Sequence, residues 1–309
     1  MTAGTLLVYG VESPLGRRVV ETLGASADLC TVAADSLAPD ALRAAVRDAQ
    51  AVVNAAMGAP ADIVRAAERL SEAMRGATAA KRLVHISSMT VYGGATGVCD
   101  EASSPVGTLS AYAAAHVAAE AIARGFPQTV VLRPGVEYGP GCEPWSGRIA
   151  RWLEARRIGD LGAGGDGYCN LVFIDDLVRA VLAAAQVPTA AGRIFNVAMP
   201  DPPTWNGYLI GFGVALGAIP VRRLTRRRWN IETKLLAAPL KVAELTLGRV
   251  PFLARRLPPA IPPSFRRLCT QEIRLDVRAA QETLGLAWTP LPAGLKAAAA
   301  AYRRKGIRH

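Results

Sequence analysis

From Leu6 to Gly135 the chain alternates short apolar runs with helical segments, and no other feature restricts its fold as much. "TLLVYG" leads into "PLGRRVVETLG", where Leu15, Val19, Val20 and Leu23 recur at helical spacing. The same step repeats through "LCTVAAD", "APDALRAAVRDA", "AVVNAAMG", "DIVRAAERLSEAMRGA", "RLVHISS", "SAYAAAHVAAEAIARG" and "TVVLRPG". The strand runs are apolar throughout rather than alternating, as strands covered on both faces are. An α/β doubly wound parallel sheet follows. After Gly135 loops, prolines and arginines take over, with "LVFIDDLVRAVLAAA" and "GRIFNVA" as a late return of the rhythm. The division expected is a nucleotide-type core over residues 1–198 and a smaller, mostly helical substrate-side portion over 199–309, their pieces interleaved.

The first strand-to-helix turn reads "GVESPLG", with Gly10, Ser13 and Gly16 at the spacing of a phosphate-binding turn. Ser13-Pro14 has the form of an N-cap followed by a first helical residue. Serine replaces the usual middle glycine, and Glu12 brings negative charge to where a pyrophosphate would lie unless it points away. Alone, the turn is equally consistent with a ligand-free connection.

"LVHISSMTVYGG", "DEASSP", "SAYAAAHVAAEA", "VVLRPGVEYGPG", "NLVFIDDLVRAVLAA" and "GRIFNVA" follow one another in an order that is far more specific. The chain resembles the extended short-chain dehydrogenase/reductase family, the NAD-dependent epimerase/dehydratase type, from Leu6 to about Val197 and weakly again near the C-terminus. The resemblance implies a Rossmann-type fold with NAD or NADP as cofactor, without choosing between them. It implies a catalytic serine at Ser88, with Thr90 nearby, a catalytic tyrosine at Tyr112, and His116 in the place of the usual lysine. It assigns Gly10, Ser13, Gly16, Asn54, Ala55 and Pro134 to the cofactor and Asn170 to a position that often faces substrate. Asp175 and Asp176 match a pair that is usually architectural.

The chemistry of such a triad is general. Reducing a carbonyl requires a proton donor on its oxygen, and a free tyrosine with pKa near 10 suits neutral pH poorly. A neighbouring cation lowers that pKa, and a hydroxyl holds the carbonyl. Histidine, shorter than lysine and mostly neutral, supplies a weaker field. Thirty-seven residues separate Gly16 from Asn54, fewer than the family usually has, so a strand–helix step is shortened or missing. Asp35 then reads either as the acid after the second strand that binds the adenosine ribose, or as a later aspartate near the adenine. Arg17 and Arg18 read as a solvated helix face or as phosphate partners. His85, inside "RLVHISS", reads as a packing residue. Asp166 and Tyr168 read as turn residues, and Cys142 and Cys169 as inert thiols.

The remaining features bound the setting. Five scattered cysteines without a CxxC pair argue against zinc, a disulfide framework or any metal site, and for a reducing compartment. The first residues lack a leader's basic and apolar regions, and no uncharged apolar run is long enough to span a bilayer. A cytoplasmic protein is expected, with peripheral association with a membrane as a further reading. Of the formal net charge of +11, +10 falls between Arg222 and Arg267, where twelve basic residues face only Glu232 and Glu244. Trp229, Leu235, Leu236, Leu240, Leu245, Leu247, Phe252, Leu253, Phe265 and the cluster "LPPAIPP" are interleaved with these charges. A solvated face is the ordinary meaning of such a run. The apolar content points instead to an anionic membrane surface or an acidic carrier protein. Nucleic acid is not expected, since no recognition motif accompanies the charge.

The leading expectation is an NAD(P)-dependent oxidoreductase acting on a hydroxyl or carbonyl of an apolar or carrier-linked small molecule. The alternatives are a non-redox reaction such as cyclisation, isomerisation or dehydration, with Tyr112 and His116 as a proton-transfer pair, and a non-catalytic nucleotide-binding or assembly protein. Dimers are common in the family, so a homodimer is also expected.

Overall fold

A computed structural model describes residues 5–24, 29–76, 81–247 and 260–307. The strands run in chain order as β1 (Leu6–Tyr9), β2 (Leu29–Val32), β3 (Ala51–Asn54), β4 (Arg82–Ile86), β5 (Gly97–Cys99), β6 (Thr129–Pro134), β7 (Val136–Tyr138), β8 (Leu171–Phe173), β9 (Ile194–Val197) and β10 (Ile273–Leu275). Six of them form a parallel sheet in the order β2-β1-β3-β4-β6-β9. The expected doubly wound sheet is present. Among the described residues only β2 lies beyond β1, in keeping with a strand–helix step that is shortened or missing in the brief Gly16–Asn54 interval. Because β2 pairs directly with β1, Leu6 opposite Leu29, the run "LCTVAAD" takes the second-strand position.

The chain divides into two compact units. The first comprises residues 1–137, 172–200 and 275–288, and the second residues 138–171, 201–274 and 289–309. The segment 138–171 thus groups with the second unit instead of lying within a 1–198 core. In the first unit, helices α2 (Pro39–Asp48), α3 (Pro60–Met74) and α4 (Ala111–Ala123) pack side by side, while α1 (Pro14–Leu23) packs with the helix Ile174–Gln186. Crossovers through these helices give the layers that bury the all-apolar strands. Leu7, Val52 and Leu83 from the sheet meet Leu42, Val46 and Leu70 from the helices, each at most 2% exposed. Each such side chain contributes about 1.5–3 kcal/mol by leaving water.

The second unit is held by aromatic side chains. Phe265 has ring centroids 5.2 Å from Trp205, 5.3 Å from Trp152 and 6.1 Å from Trp229, and Tyr208 stacks on Phe212 at 5.8 Å. Trp229 and Phe265, two apolar members of the basic segment, are therefore core residues. Arg249, Phe252, Leu253, Arg255 and Arg256 and the start of "LPPAIPP" lie outside the described residues. No helix among the described residues is long and apolar enough to cross a membrane.

Candidate active site

In an open parallel sheet, ligands bind beyond the carboxyl ends of the strands where the strand order reverses. Here the chain leaves β1 for β2 and returns on the other side of β1 as β3, so the reversal falls between β1 and β3. Gly10 follows β1, Asn54 ends β3 with Ala55 after it, Ser87 and Ser88 follow β4, and Pro134 ends β6. One edge of the sheet collects nearly every residue singled out from the sequence.

The glycine turn is tightly built. Gly10 has φ +89°, and a β-carbon there would lie 2.4 Å from the Ala56 nitrogen. One on Gly16 would lie 2.4 Å from the Gly10 carbonyl oxygen. Both positions need glycine because backbone meets backbone. Ser13 caps α1, its Oγ accepting from the Gly16 N–H at 2.9 Å. A helix start leaves its first N–H groups unpaired. Pro14 has none and Gly16 has spent its own, which leaves that of Leu15 pointing out of the first turn with the positive end of the helix dipole. Glu12 turns aside, both carboxylate oxygens lying 3.2 Å from the Ala34 nitrogen. Asp35, at φ +65°, is engaged by Arg65 at 3.1 Å and Arg69 at 2.8 Å.

Asn54 is turned inward. Its Oδ1 accepts from the Ala56 N–H and its Nδ2 donates to His85 Nδ1, both at 3.2 Å. His85 is 2% exposed, a packing residue as its place in the strand suggests. Ala55 is fully buried and donates its N–H to the Tyr9 carbonyl at 2.9 Å. Arg18 grips Asp175 through Nε at 2.6 Å and Nη2 at 3.0 Å, so its guanidinium is engaged in an ion pair within the first unit. Asp176 pairs with Arg179. The two aspartates are architectural.

Ser110 caps α4, its Oγ accepting from the Ala113 N–H at 3.1 Å, and starts that helix two residues before Tyr112. Tyr112 and His116 sit one turn apart with ring centroids 4.6 Å apart in an edge arrangement at 71°. His116 is 1% exposed, and neither ring nitrogen has a hydrogen-bond partner. Burial, helped by His85 and opposed by Glu120, pulls its pKa down to about 4. His116 is therefore a neutral, sealed imidazole at pH 7. Burial, with the Glu137 carboxyl adding to it, pushes the Tyr112 hydroxyl up to about 12. Ser88 Oγ accepts from the Thr90 N–H at 3.2 Å and the Thr90 hydroxyl at 3.0 Å, which leaves its own proton to donate. Asn170 belongs to the second unit, 1% exposed, its Nδ2 donating to the Ile273 carbonyl at 2.9 Å.

Two features escaped the sequence reading. Glu137, partly exposed on β7, carries a carboxyl that burial raises to about 7. Glu120 and Arg133 form an ion pair with side chains 4% and 1% exposed. An arginine inside the apolar strand "TVVLRPG" was the available signal, because a buried charge needs a partner. Nothing comparable marked Glu137.

The profile of the NAD dependent epimerase/dehydratase family matches residues 7–198, well over half of the chain. The chain belongs to that family. Among solved structures of similar fold are MoeE5 in complex with UDP-glucose and NAD, at 22% identity and TM-score 0.71 over 98% of this chain and 99% of that one. UDP-glucuronic acid 4-epimerase from Bacillus cereus, with UDP-glucuronic acid and NAD, matches at 16% identity and TM-score 0.71 over 97% and 99%. Human epimerase family protein SDR39U1 with NADPH matches at 19% and 0.71 over 96% and 99%. At these identities the likeness is one of fold. No curated protein matches the chain.

The family's dinucleotide cofactor fits what this epimerase/dehydratase-family protein presents. The turn between Gly10 and Gly16 brings backbone close, offers the Leu15 N–H, and is cleared of the Glu12 charge. The fit is poorer where the family's lysine would stand, because His116 presents neither charge nor an exposed donor.

Proposed function

We propose that this protein is an NAD(P)-dependent oxidoreductase of the epimerase/dehydratase type, acting on a hydroxyl or carbonyl carbon and running best toward reduction. The observation that carries the reading is the Tyr112 hydroxyl, raised to about 12 beside a neutral His116. Such a tyrosine is a poor base at pH 7 but stays protonated, so it donates to a carbonyl oxygen. Ser88, with its oxygen already accepting twice from Thr90, donates to the same substrate oxygen. Gly10, Ser13, Gly16, Leu15, Ala55 and Pro134 would hold the dinucleotide, which supplies the hydride when bound. Neighbours that bind NAD or NADPH support this cofactor class, with no preference between the two. The test is consumption of NADPH or NADH by the purified protein over a panel of aldehydes and ketones. Tyr112→Phe is expected to lower that rate by about 10²–10⁴-fold and Ser88→Ala by about 10²-fold. A panel on which neither dinucleotide is consumed would sink the reading.

One observation favours a second reading. Glu137, with a carboxyl near pKa 7 that acts electrostatically on Tyr112, suits proton transfer at neutral pH. A non-redox isomerisation or dehydration would then use Tyr112 and Glu137, while sealed His116 is badly suited to exchange protons with a substrate. Glu137→Gln separates the two, abolishing the non-redox reaction and sparing the reduction.

For the substrate we favour an apolar molecule met at an anionic membrane surface. In the second unit Leu235 is 67% and Val242 60% exposed, and Leu236, Lys234 and Lys241 share their exposed stretch. Arg226 and Arg227 are exposed just before it. Apolar side chains interleaved with cations match a bilayer's apolar interior and anionic headgroups, at about 1 kcal/mol per basic residue. Flotation with vesicles of phosphatidylcholine plus phosphatidylglycerol should recover the protein, and Leu235→Glu with Val242→Glu should lower the recovery. Equal recovery on pure phosphatidylcholine would overturn the idea, and binding to an acidic carrier protein alone would move the surface to that partner.

A further inference from the structure

Ser88 and Tyr112 stand on different elements, and one buried ion pair reaches both. Glu120 follows Tyr112 by eight residues and His116 by four, so the three lie on one face of α4. Its carboxylate holds Arg133 by two bonds, Nε to Oε1 at 2.9 Å and Nη2 to Oε2 at 2.8 Å. Oε1 also accepts the hydroxyl of Ser87, the residue just before Ser88, at 2.5 Å. Arg133 reaches further, its Nη1 donating to the Tyr92 hydroxyl at 2.9 Å, which donates to Asn196 Oδ1 at 2.6 Å. Tyr92 closes the short helical turn Met89–Tyr92 that Ser88 opens. The pair therefore holds Ser88 from both sides in the chain and holds the helix that carries Tyr112.

Stability does not account for such a pair. Removing two charges from water offsets most of their attraction, and apolar replacements often fold as well. What a bidentate arginine–carboxylate contact adds is fixed planar geometry. We propose that Glu120 and Arg133 are positioning residues whose pair sets the separation of the Ser88 and Tyr112 hydroxyls. The inference rests on the reading of those hydroxyls as donors to one substrate oxygen, each needing about 3 Å to reach it. A displacement of about 1 Å at such a site costs on the order of 10²-fold in rate.

Glu120→Gln alone would strand the buried Arg133 charge, so the test uses Glu120→Leu with Arg133→Met together. A Ser88→Cys/Tyr112→Cys protein treated with dibromobimane reports the separation without any turnover. Cross-linking should proceed in the otherwise unaltered chain and fall several-fold when the ion pair is replaced. In parallel, with Ser88 and Tyr112 intact, kcat for carbonyl reduction should fall about 10²-fold while KM for NADPH stays within about twofold. An equal cross-linking yield in the folded double variant overturns the proposal, as does the absence of cross-linking in both proteins. A drop in yield in a protein that reduces nothing would sink the reductase reading and leave the positioning role standing. Ser87→Ala, which keeps the charges matched, serves if the double variant does not fold, and an unchanged yield there also overturns the proposal.

Discussion

Replacing His116 with lysine is expected to move the pH profile of alcohol oxidation down by about 1–3 units and raise the rate at neutral pH about ten- to thousandfold. The native imidazole, 1% exposed and pulled down to about pKa 4, gives Tyr112 no positive field. Nothing then offsets the burial that pushes the Tyr112 hydroxyl up to about 12, and oxidation needs that hydroxyl as a base. Lysine brings a permanent charge on a stem long enough to leave the sealed pocket. Carbonyl reduction, which needs the protonated tyrosine, should gain much less. The measurement is the initial rate of NAD reduction with a panel of alcohols from pH 6 to 10, for both proteins. A superimposable pair of profiles would mean that Tyr112 is not the titrating group.

Acid should unfold the protein through its two buried histidines. His85 and His116, 2% and 1% exposed, have pKa values lowered from 6.5 to about 4, in both cases chiefly by burial. Between those values the unfolded chain takes up protons that the folded chain refuses. Their contribution is thus complete above pH 6.5 and is lost as pH falls toward 4, at about 3 kcal/mol for each. Glu137 works in the other direction. Its pKa is raised from 4.5 to about 7, so its burial costs stability at neutral pH and that cost is relieved on acidification. The net loss from pH 7 to pH 4 is therefore smaller than the histidines alone would give. His116→Phe isolates one share, and urea unfolding at pH 7 and pH 4 should find about 3 kcal/mol less acid loss in that variant. The same loss in both proteins would mean that His116 is not buried neutral.

Much of the first unit was legible along the chain because its signals are local. All-apolar strand runs, Ser13 before its helix, and glycines at 10 and 16 act through neighbours a few residues away. Their alternation led to the parallel sheet, and the short interval before Asn54 to the single described strand beyond β1. The ordered motifs around Ser88 and Tyr112 carried the family. The sequence by itself also determined which substitution to question, since His116 stands where a lysine is usual.

The environment of His116 is visible only in tertiary contacts. Its charge state depends on burial beside His85, a strand residue 31 positions earlier in the chain, and on how little solvent reaches the ring. The sequence reads Glu12 as a charge set against a pyrophosphate and Asp35 as a ribose or adenine partner, and only the fold aims Glu12 at the Ala34 N–H and pairs Asp35 with Arg65 and Arg69. Trp229 and Phe265 left the basic surface for an aromatic core, while Leu235 and Val242 stayed outside. The tie from Glu120 through Arg133 to Tyr92 and Asn196 links residues far apart in the chain. Desolvation and ion pairing depend on what surrounds a group in space, and a sequence states only what precedes and follows it.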